Sequence, residues 1–175
     1  MRAFLFALLA AGAATSAPAS AQQQPGAAGA GHSPVRRDAR EQVPAALLGP
    51  WKVDLQASKY AGAKPKVATR TFQYTEGGKL LVTFQTVSAD GAYAAGHWAA
   101  QVDGTPAVEY HSAAGSIAYN VVRLYKVDEN NLKLTVVRNG KTDIEAAYNI
   151  SPDGQKLTYS YGGNVIVYRR WTALD

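Results

Sequence analysis

Leu48-Gly49-Pro50-Trp51-Lys52-Val53-Asp54-Leu55 is the stretch on which the fold turns, because a Trp-anchored strand here first follows a run too poor in apolar residues to pack. From Pro50 onward, short alternating segments separated by Gly, Asp and Asn turns continue almost to the C-terminus. This pattern predicts eight to ten antiparallel strands at spacings of about ten residues. Closing them into an up-and-down β-barrel removes the open sheet edges that favour aggregation. No helical periodicity longer than two turns interrupts residues 46–175.

Upstream, Met1-Arg2 precedes the apolar run Ala3-Phe4-Leu5-Phe6-Ala7-Leu8-Leu9-Ala10, which is too short to cross a bilayer, and Ala19-Ser20-Ala21 offers the small residues of a signal-peptidase site. Residues 1–21 read as a bacterial secretory signal cleaved after Ala21, 22–45 as a disordered linker, and 46–175 as the folded domain. The expected location is the periplasm or the exterior, with no membrane span in the mature chain. Arg36-Arg37 follows the apolar run instead of preceding it, so it is not a twin-arginine signal, and His32 is an exposed linker side chain.

The 175 residues, 47% of them hydrophobic, suffice for one core without metal or disulfide. The net charge of +5 is spread over many strands with no Lys/Arg block, which argues against a nucleic-acid groove. Absence of cysteine rules out disulfides, thiol catalysis and a thiol-linked lipid anchor.

Hairpin register decides which side chains share a face, and a one-residue slip exchanges the two faces. Around Gly77-Gly78, Tyr74 opposes Leu80, Phe72 opposes Val82 and Arg70 opposes Phe84. A four-residue loop Asp128-Glu129-Asn130-Asn131 sets Tyr125 against Leu134 and Arg123 against Val136. At Asn139-Gly140, a three-residue or bulged turn sets Val136 against Ile144 and Leu134 against Ala146. The turn Ser151-Pro152-Asp153-Gly154 sets Tyr148 against Leu157, Ala146 against Tyr159 and Ile144 against Tyr161. Tyr125, Leu134, Ile144, Ala146, Tyr148, Leu157 and Tyr159 are thus expected on one buried face.

Two registers compete at Asp103-Gly104-Thr105. A two-residue turn puts Glu109 opposite Trp98, burying an acid against an indole. The favoured three-residue turn pairs Trp98 with Tyr110 and Ala100 with Val108, leaving His97, Glu109 and His111 together on the other, outer face.

Gly49-Pro50-Trp51 in the first strand and Tyr168-Arg169-Arg170-Trp171 in the last resemble the lipocalin and calycin arrangement, in which a first-strand Trp packs near a late Arg. The run GPWKVDLQASKY, then Lys64-Pro65-Lys66, the His97-Trp98 strand and the Ser151-Pro152-Asp153-Gly154 turn, resembles exported bacterial lipocalin-like barrel proteins of unassigned activity. The resemblance covers most of residues 48–171, with Pro50 departing from the usual residue there. It implies a barrel, export, a small apolar ligand by analogy, and Arg169 or Arg170 capping the barrel over Trp51.

The candidate ligand-binding residues are Arg70, Phe72, Tyr74, Trp98, Arg123, Tyr125 and Tyr159: aromatic residues to line or fill the interior, with Arg70 or Arg123 as polar anchor. A bound carboxylate would satisfy an arginine on an apolar face; the competing reading puts each arginine at a rim, its stem on the core and its head in water. His97, Glu109 and His111 are a zinc-type donor set, but a solvated outer face is the simpler explanation, so no metal, cofactor or catalytic residue is assigned. Ser58 and Ser160 lack a nearby histidine, Asn149-Ile150-Ser151 is turn chemistry, and Asp143 with Glu145 lies on a polar exterior. The leading expectation is a monomeric exported barrel that binds a small hydrophobic or amphiphilic molecule. The alternatives are a barrel enzyme (isomerase, cyclase or metal-assisted hydrolase) using the histidine face, and an envelope interaction protein with a solid barrel.

Overall fold

The computed structural model describes residues 38–112 and 119–172. The expected signal segment, its expected cleavage after Ala21, and His32 and Arg36-Arg37 of the expected linker lie outside the described residues. Ten strands form a closed barrel: β1 (Gly49–Val53), β2 (Val67–Tyr74), β3 (Leu80–Val87), β4 (Tyr93–Ala100), β5 (Ala107–His111), β6 (Tyr119–Lys126), β7 (Asn131–Arg138), β8 (Lys141–Ile150), β9 (Lys156–Tyr161) and β10 (Asn164–Arg170). Each strand pairs antiparallel with its sequence neighbours, and β1 closes the ring on β10, with Trp51 opposite Arg170 and Val53 opposite Tyr168. The up-and-down antiparallel barrel expected from the turn spacing is the architecture found.

Two expected registers hold. The β2–β3 hairpin pairs Arg70 with Phe84 and Phe72 with Val82. The β7–β8 hairpin pairs Leu134 with Ala146 and Val136 with Ile144, with an irregularity between Val136 and Val137 where a bulge was required. A third slides without changing faces: Tyr148 opposes Tyr159, and Ile150 opposes Leu157. There the Ser151 N–H donates to Lys156 O at 2.9 Å, so the loop begins one residue later than expected.

Two registers slip by one residue, which exchanges faces. Across β6–β7, Leu124 opposes Leu134 and Arg123 opposes Thr135, so Val122 and Leu124 are buried while Arg123 and Tyr125 point outward. The cause is local. The Asp128 carboxylate accepts the Asn130 N–H and the Asn131 side-chain amide, each at 2.8 Å, and the Val127 N–H donates to Asn131 O at 2.9 Å, closing a three-residue loop. Across β4–β5, Trp98 opposes Glu109 and His97 opposes Tyr110, against the favoured register. The residues between these strands form no tight turn; they fold across β6, where the Gly104 N–H donates to Leu124 O at 2.9 Å.

One end of the barrel is plugged. Asp38 caps the helix α1 (Ala39–Gln42) by accepting the Arg40 N–H, and a 3-10 turn follows at Ala45–Leu47. Ala39, Val43 and Leu47 are buried, and the Ala39 N–H donates to Gly78 O at 2.8 Å, so these residues pack onto the barrel end. Trp51 is fully buried and donates its Nε1–H to Leu47 O at 2.8 Å. Arg170 lies 4.0 Å over the Trp51 ring and donates to the carbonyls of Ala46, Leu48 and Gly154, which caps the barrel as the resemblance implied. Above this plug Phe72, Leu80, Val82, Trp98, Leu124, Leu132 and Leu134 fill the interior, each contributing roughly 1.5–3 kcal/mol through burial.

Candidate functional site

The other end is not filled. A cavity of about 550 Å³ opens there, lined chiefly by Tyr60, Ala68, Arg70, Tyr161, Ile166 and Tyr168, with Ser88 and Asp90 of the β3–β4 turn at its edge. The segment from β1 to β2 arcs over the opening and is pinned to β10. The Lys59 and Val165 backbones exchange two 2.8 Å hydrogen bonds, and the Ala61 N–H donates to Asn164 Oδ1 at 2.9 Å. The Ser58 hydroxyl donates to Asp54 O at 2.6 Å and accepts from the Val167 N–H at 2.9 Å.

Arg70 is the polar centre of this site. Its position on β2, opposite Phe84 and Trp51, turns its side chain inward. Nη1 donates to Tyr148 Oη at 2.8 Å, Nε donates to Tyr168 Oη at 3.3 Å, and the guanidinium lies 4.2 Å over the Tyr159 ring. Burial works against its charge, but the phenolic oxygens of Tyr148, Tyr168 and Tyr159 outweigh it and hold the guanidinium protonated. The ion pairs of the described residues are Arg40–Asp38, Lys133–Glu145, Arg138–Asp143 and Arg169–Asp54, and none includes Arg70. Hydroxyls and aromatic faces solvate the charge without neutralising it.

Tyrosines surround the guanidinium. Tyr148 stacks on Tyr159 at 4.7 Å between centroids, and Tyr161 packs against Tyr159 at 5.0 Å with its ring tilted by 40°. Burial pushes Tyr148 well up, Tyr159 to about 12 and Tyr161 upward, so all three are neutral hydrogen-bonding groups near pH 7. Burial likewise raises Tyr60 to about 12. Among the described residues no group meets full hydrogen-bond geometry with the Tyr60 hydroxyl, and the Ser58 side chain is the hydrogen-bonding neighbour that partly offsets its upward shift. A buried phenol in this state favours any acceptor that enters the cavity.

The other expected site residues are placed differently. Phe72 and Trp98 are packed in the solid half of the barrel, and Tyr74 donates to Val43 O at 3.1 Å beside the plug, so these three fill the interior without lining the cavity. Tyr159 is buried beneath Arg70 as its aromatic support. Arg123 and Tyr125, expected inside, are on the outer face because of the β6–β7 slip; Arg123 Nη1 donates to Gly104 O at 2.9 Å. The expected shared outer face of His97, Glu109 and His111 does not exist. His97 is exposed and stacks on Tyr110 at 5.5 Å, while Glu109 and His111 alternate with the exposed Val108 and Tyr110 and so face inward. The acid beside Trp98 is accommodated by Asn120, itself buried, whose Nδ2 donates to Glu109 at 2.7 Å while its Oδ1 accepts from Arg138 at 3.1 Å. Among the described residues no group of three or more His, Cys, Asp or Glu side chains is arranged to hold a metal ion.

Sequence reasoning missed Tyr60 and did not assign Tyr161 or Tyr168 to the site. The last two were legible in principle, since Tyr159 and Tyr161 share a face and Tyr168 shares a face of β10 with Arg170, the partner of Trp51. Tyr60 lies in a connection without periodicity. Arranged in this way, the site can hold an anion at Arg70 and an apolar or aromatic body along Ala68, Ile166 and the tyrosine rings. No protein-family model, curated protein or solved structure matches this chain.

Proposed function

We propose that the protein binds a small amphiphilic anion, with its acidic head on Arg70 and its apolar body in the cavity above. The observation that carries this reading is a protonated guanidinium inside the barrel, facing a cavity of ligand size and forming no ion pair with a described carboxylate. A charge in that position is costly, and a ligand carboxylate would offset the cost. Tyr60 and Tyr168 add hydroxyls beside the head group. Export to the periplasm or exterior, and kinship with lipocalin-like exported barrels, belong to the same proposal and rest on the leader-like N-terminus and the Trp51–Arg170 pair. A solid barrel that acts only through its surface is less well supported, because the interior is open at the Arg70 end.

The test is displacement of parinaric acid, a fluorescent fatty acid, by a carboxylate and by the alcohol of equal chain length. The carboxylate should bind roughly 10- to 100-fold more tightly, the range of one charged hydrogen-bonded contact. In Arg70→Met that preference should disappear while the alcohol's affinity changes little. Equal affinities in the native chain, or an unchanged preference in Arg70→Met, would overturn the proposal.

A further inference from the structure

The connections at the two ends of the barrel carry opposite charge. At the open end, Lys59, Lys64 and Lys66 lie on the segment arching over the cavity, and Arg138 and Lys141 flank the β7–β8 turn; all five are exposed. Their acidic counterparts there are Asp54, Asp90 and Asp143; Asp143 pairs with Arg138 at 3.5 Å and Asp54 with Arg169 at 2.5 Å. Lys59, Lys66 and Lys141 take part in none of the ion pairs of the described residues, and Lys64 Nζ donates only to a carbonyl, Leu55 O, at 3.1 Å. Around the plugged end, Glu76, Asp103, Asp128, Glu129 and Asp153 are exposed and outnumber the exposed Lys79, Lys126 and Lys156 that flank the same connections.

From this segregation we infer that the protein docks mouth-first on an anionic lipid bilayer. The argument is electrostatic and geometric. A lysine near an anionic bilayer contributes about 1 kcal/mol, or roughly fivefold in affinity, so four of them at one end make a weak, salt-sensitive contact. The acidic opposite end is repelled by the same surface, which fixes the orientation. Lys59, Lys64 and Lys66 adjoin the cavity-lining Tyr60, Ala63 and Pro65 in the chain, and Lys141 lies at the same end of the barrel, so docking sets the opening against the bilayer. That placement suits a surface which itself contains amphiphilic anions better than it suits an acidic protein. The inference does not require the cavity to be occupied and goes beyond the ligand reading.

The experiment is sedimentation of the full chain with vesicles of phosphatidylcholine containing about one-third phosphatidylglycerol, against vesicles of phosphatidylcholine alone, at low and high salt. Binding should be stronger on the anionic vesicles, and the excess should vanish at high salt. The N-terminal residues, Arg2, Arg36 and Arg37 among them, are the same in every variant, so their contribution drops out when the variants are compared. The variant K59E/K64E/K66E/K141E should lose most of the excess. K79E/K126E/K156E, with lysines reversed at the plugged end, should retain it, and thermal unfolding of both variants checks that they fold. Equal binding to both vesicle types, or equal loss in the two variants, overturns the docking inference. Arg70→Met should dock as the native chain does, so failure to dock with an intact Arg70-dependent carboxylate preference removes this inference alone.

Discussion

Arg170→Met tests whether the barrel is held shut by a single side chain at its plugged end. Methionine keeps an unbranched stem against Trp51 but removes every donor and the charge. The substitution deletes the bonds to the carbonyls of Ala46, Leu48 and Gly154 and the guanidinium 4.0 Å over the Trp51 ring. At a half-exposed site each charged hydrogen bond is given about 1 kcal/mol, below its usual range because solvent screens it, and the cation–π contact about 1 kcal/mol more. The expected loss is therefore about 3–4 kcal/mol, a large fraction of the 5–15 kcal/mol typical of whole domains. In a chain of this size that lowers Tm by about 10–15 °C. Urea unfolding followed by tryptophan fluorescence measures it, since Trp51 and Trp98 are buried. Arg170→Lys should recover less than half of the loss, because one ammonium cannot reach three divergent carbonyls and stack on the indole as well. Freed of its anchor, the segment carrying Ala46 and Leu48 should also loosen, so trypsin should cut at the exposed Arg40 sooner than in the native chain. A loss below 1 kcal/mol, or full rescue by lysine, would mean that the plug is held by Trp51 and Leu47 packing and that the arginine merely decorates it.

Three further outcomes follow from other parts of the barrel. Gly104 has φ of +82° and an added Cβ would lie 2.2 Å from the Tyr125 ring, so Gly104→Ala should cost about 2–4 kcal/mol in urea unfolding; adding Tyr125→Ala should recover only the steric part. Asp54 is held below its usual range first by the Ala57 backbone N–H and then by Arg169, so its stabilisation is complete above the unfolded value of 3.8 and is lost as pH falls through the lower folded value. Asp54→Asn should therefore flatten the acid limb of the stability curve in thermal melts below about pH 4 and leave its alkaline limb unchanged. Tyr60 and Tyr159 are raised to about 12, whereas unfolded phenols ionise near 10, so stability should fall as pH rises above about 10. Ultraviolet titration should show a phenol fraction that ionises only with unfolding; complete ionisation near pH 10 in the folded chain would contradict their burial.

The sequence resolved the fold where turn chemistry and face separation pointed the same way. Gly77-Gly78 gave one reasonable register for β2–β3, and that register put Arg70 inside. Asn139-Gly140 required a bulge, and one is present at Val136 and Val137. The failures have specific causes. The β6–β7 loop was assigned one residue too many because its closure depends on where the Asp128 carboxylate bonds, which alternation does not encode. In β4–β5 an acid beside Trp98 looked prohibitive, yet Asn120 on β6 makes it acceptable from outside the hairpin. Both errors displaced site residues, carrying Arg123 and Tyr125 out and Glu109 and His111 in. Tyr60 escaped notice because an arching connection has no period from which to infer burial.

The β1–β10 seam has a consequence for how the chain comes together. Every other pairing in the barrel joins strands adjacent in sequence, so those hairpins form locally as each stretch becomes available. Trp51 and Arg170 come from opposite ends of the domain, and their meeting is the one step that needs the whole polypeptide. During synthesis, β1 is made first and must wait for the last strand to emerge from the ribosome before it finds its second partner. Until then the growing sheet has two open edges, and the interior arginine has no enclosing wall. Loss of the final strand by premature termination would leave a sheet that cannot close rather than a slightly smaller barrel.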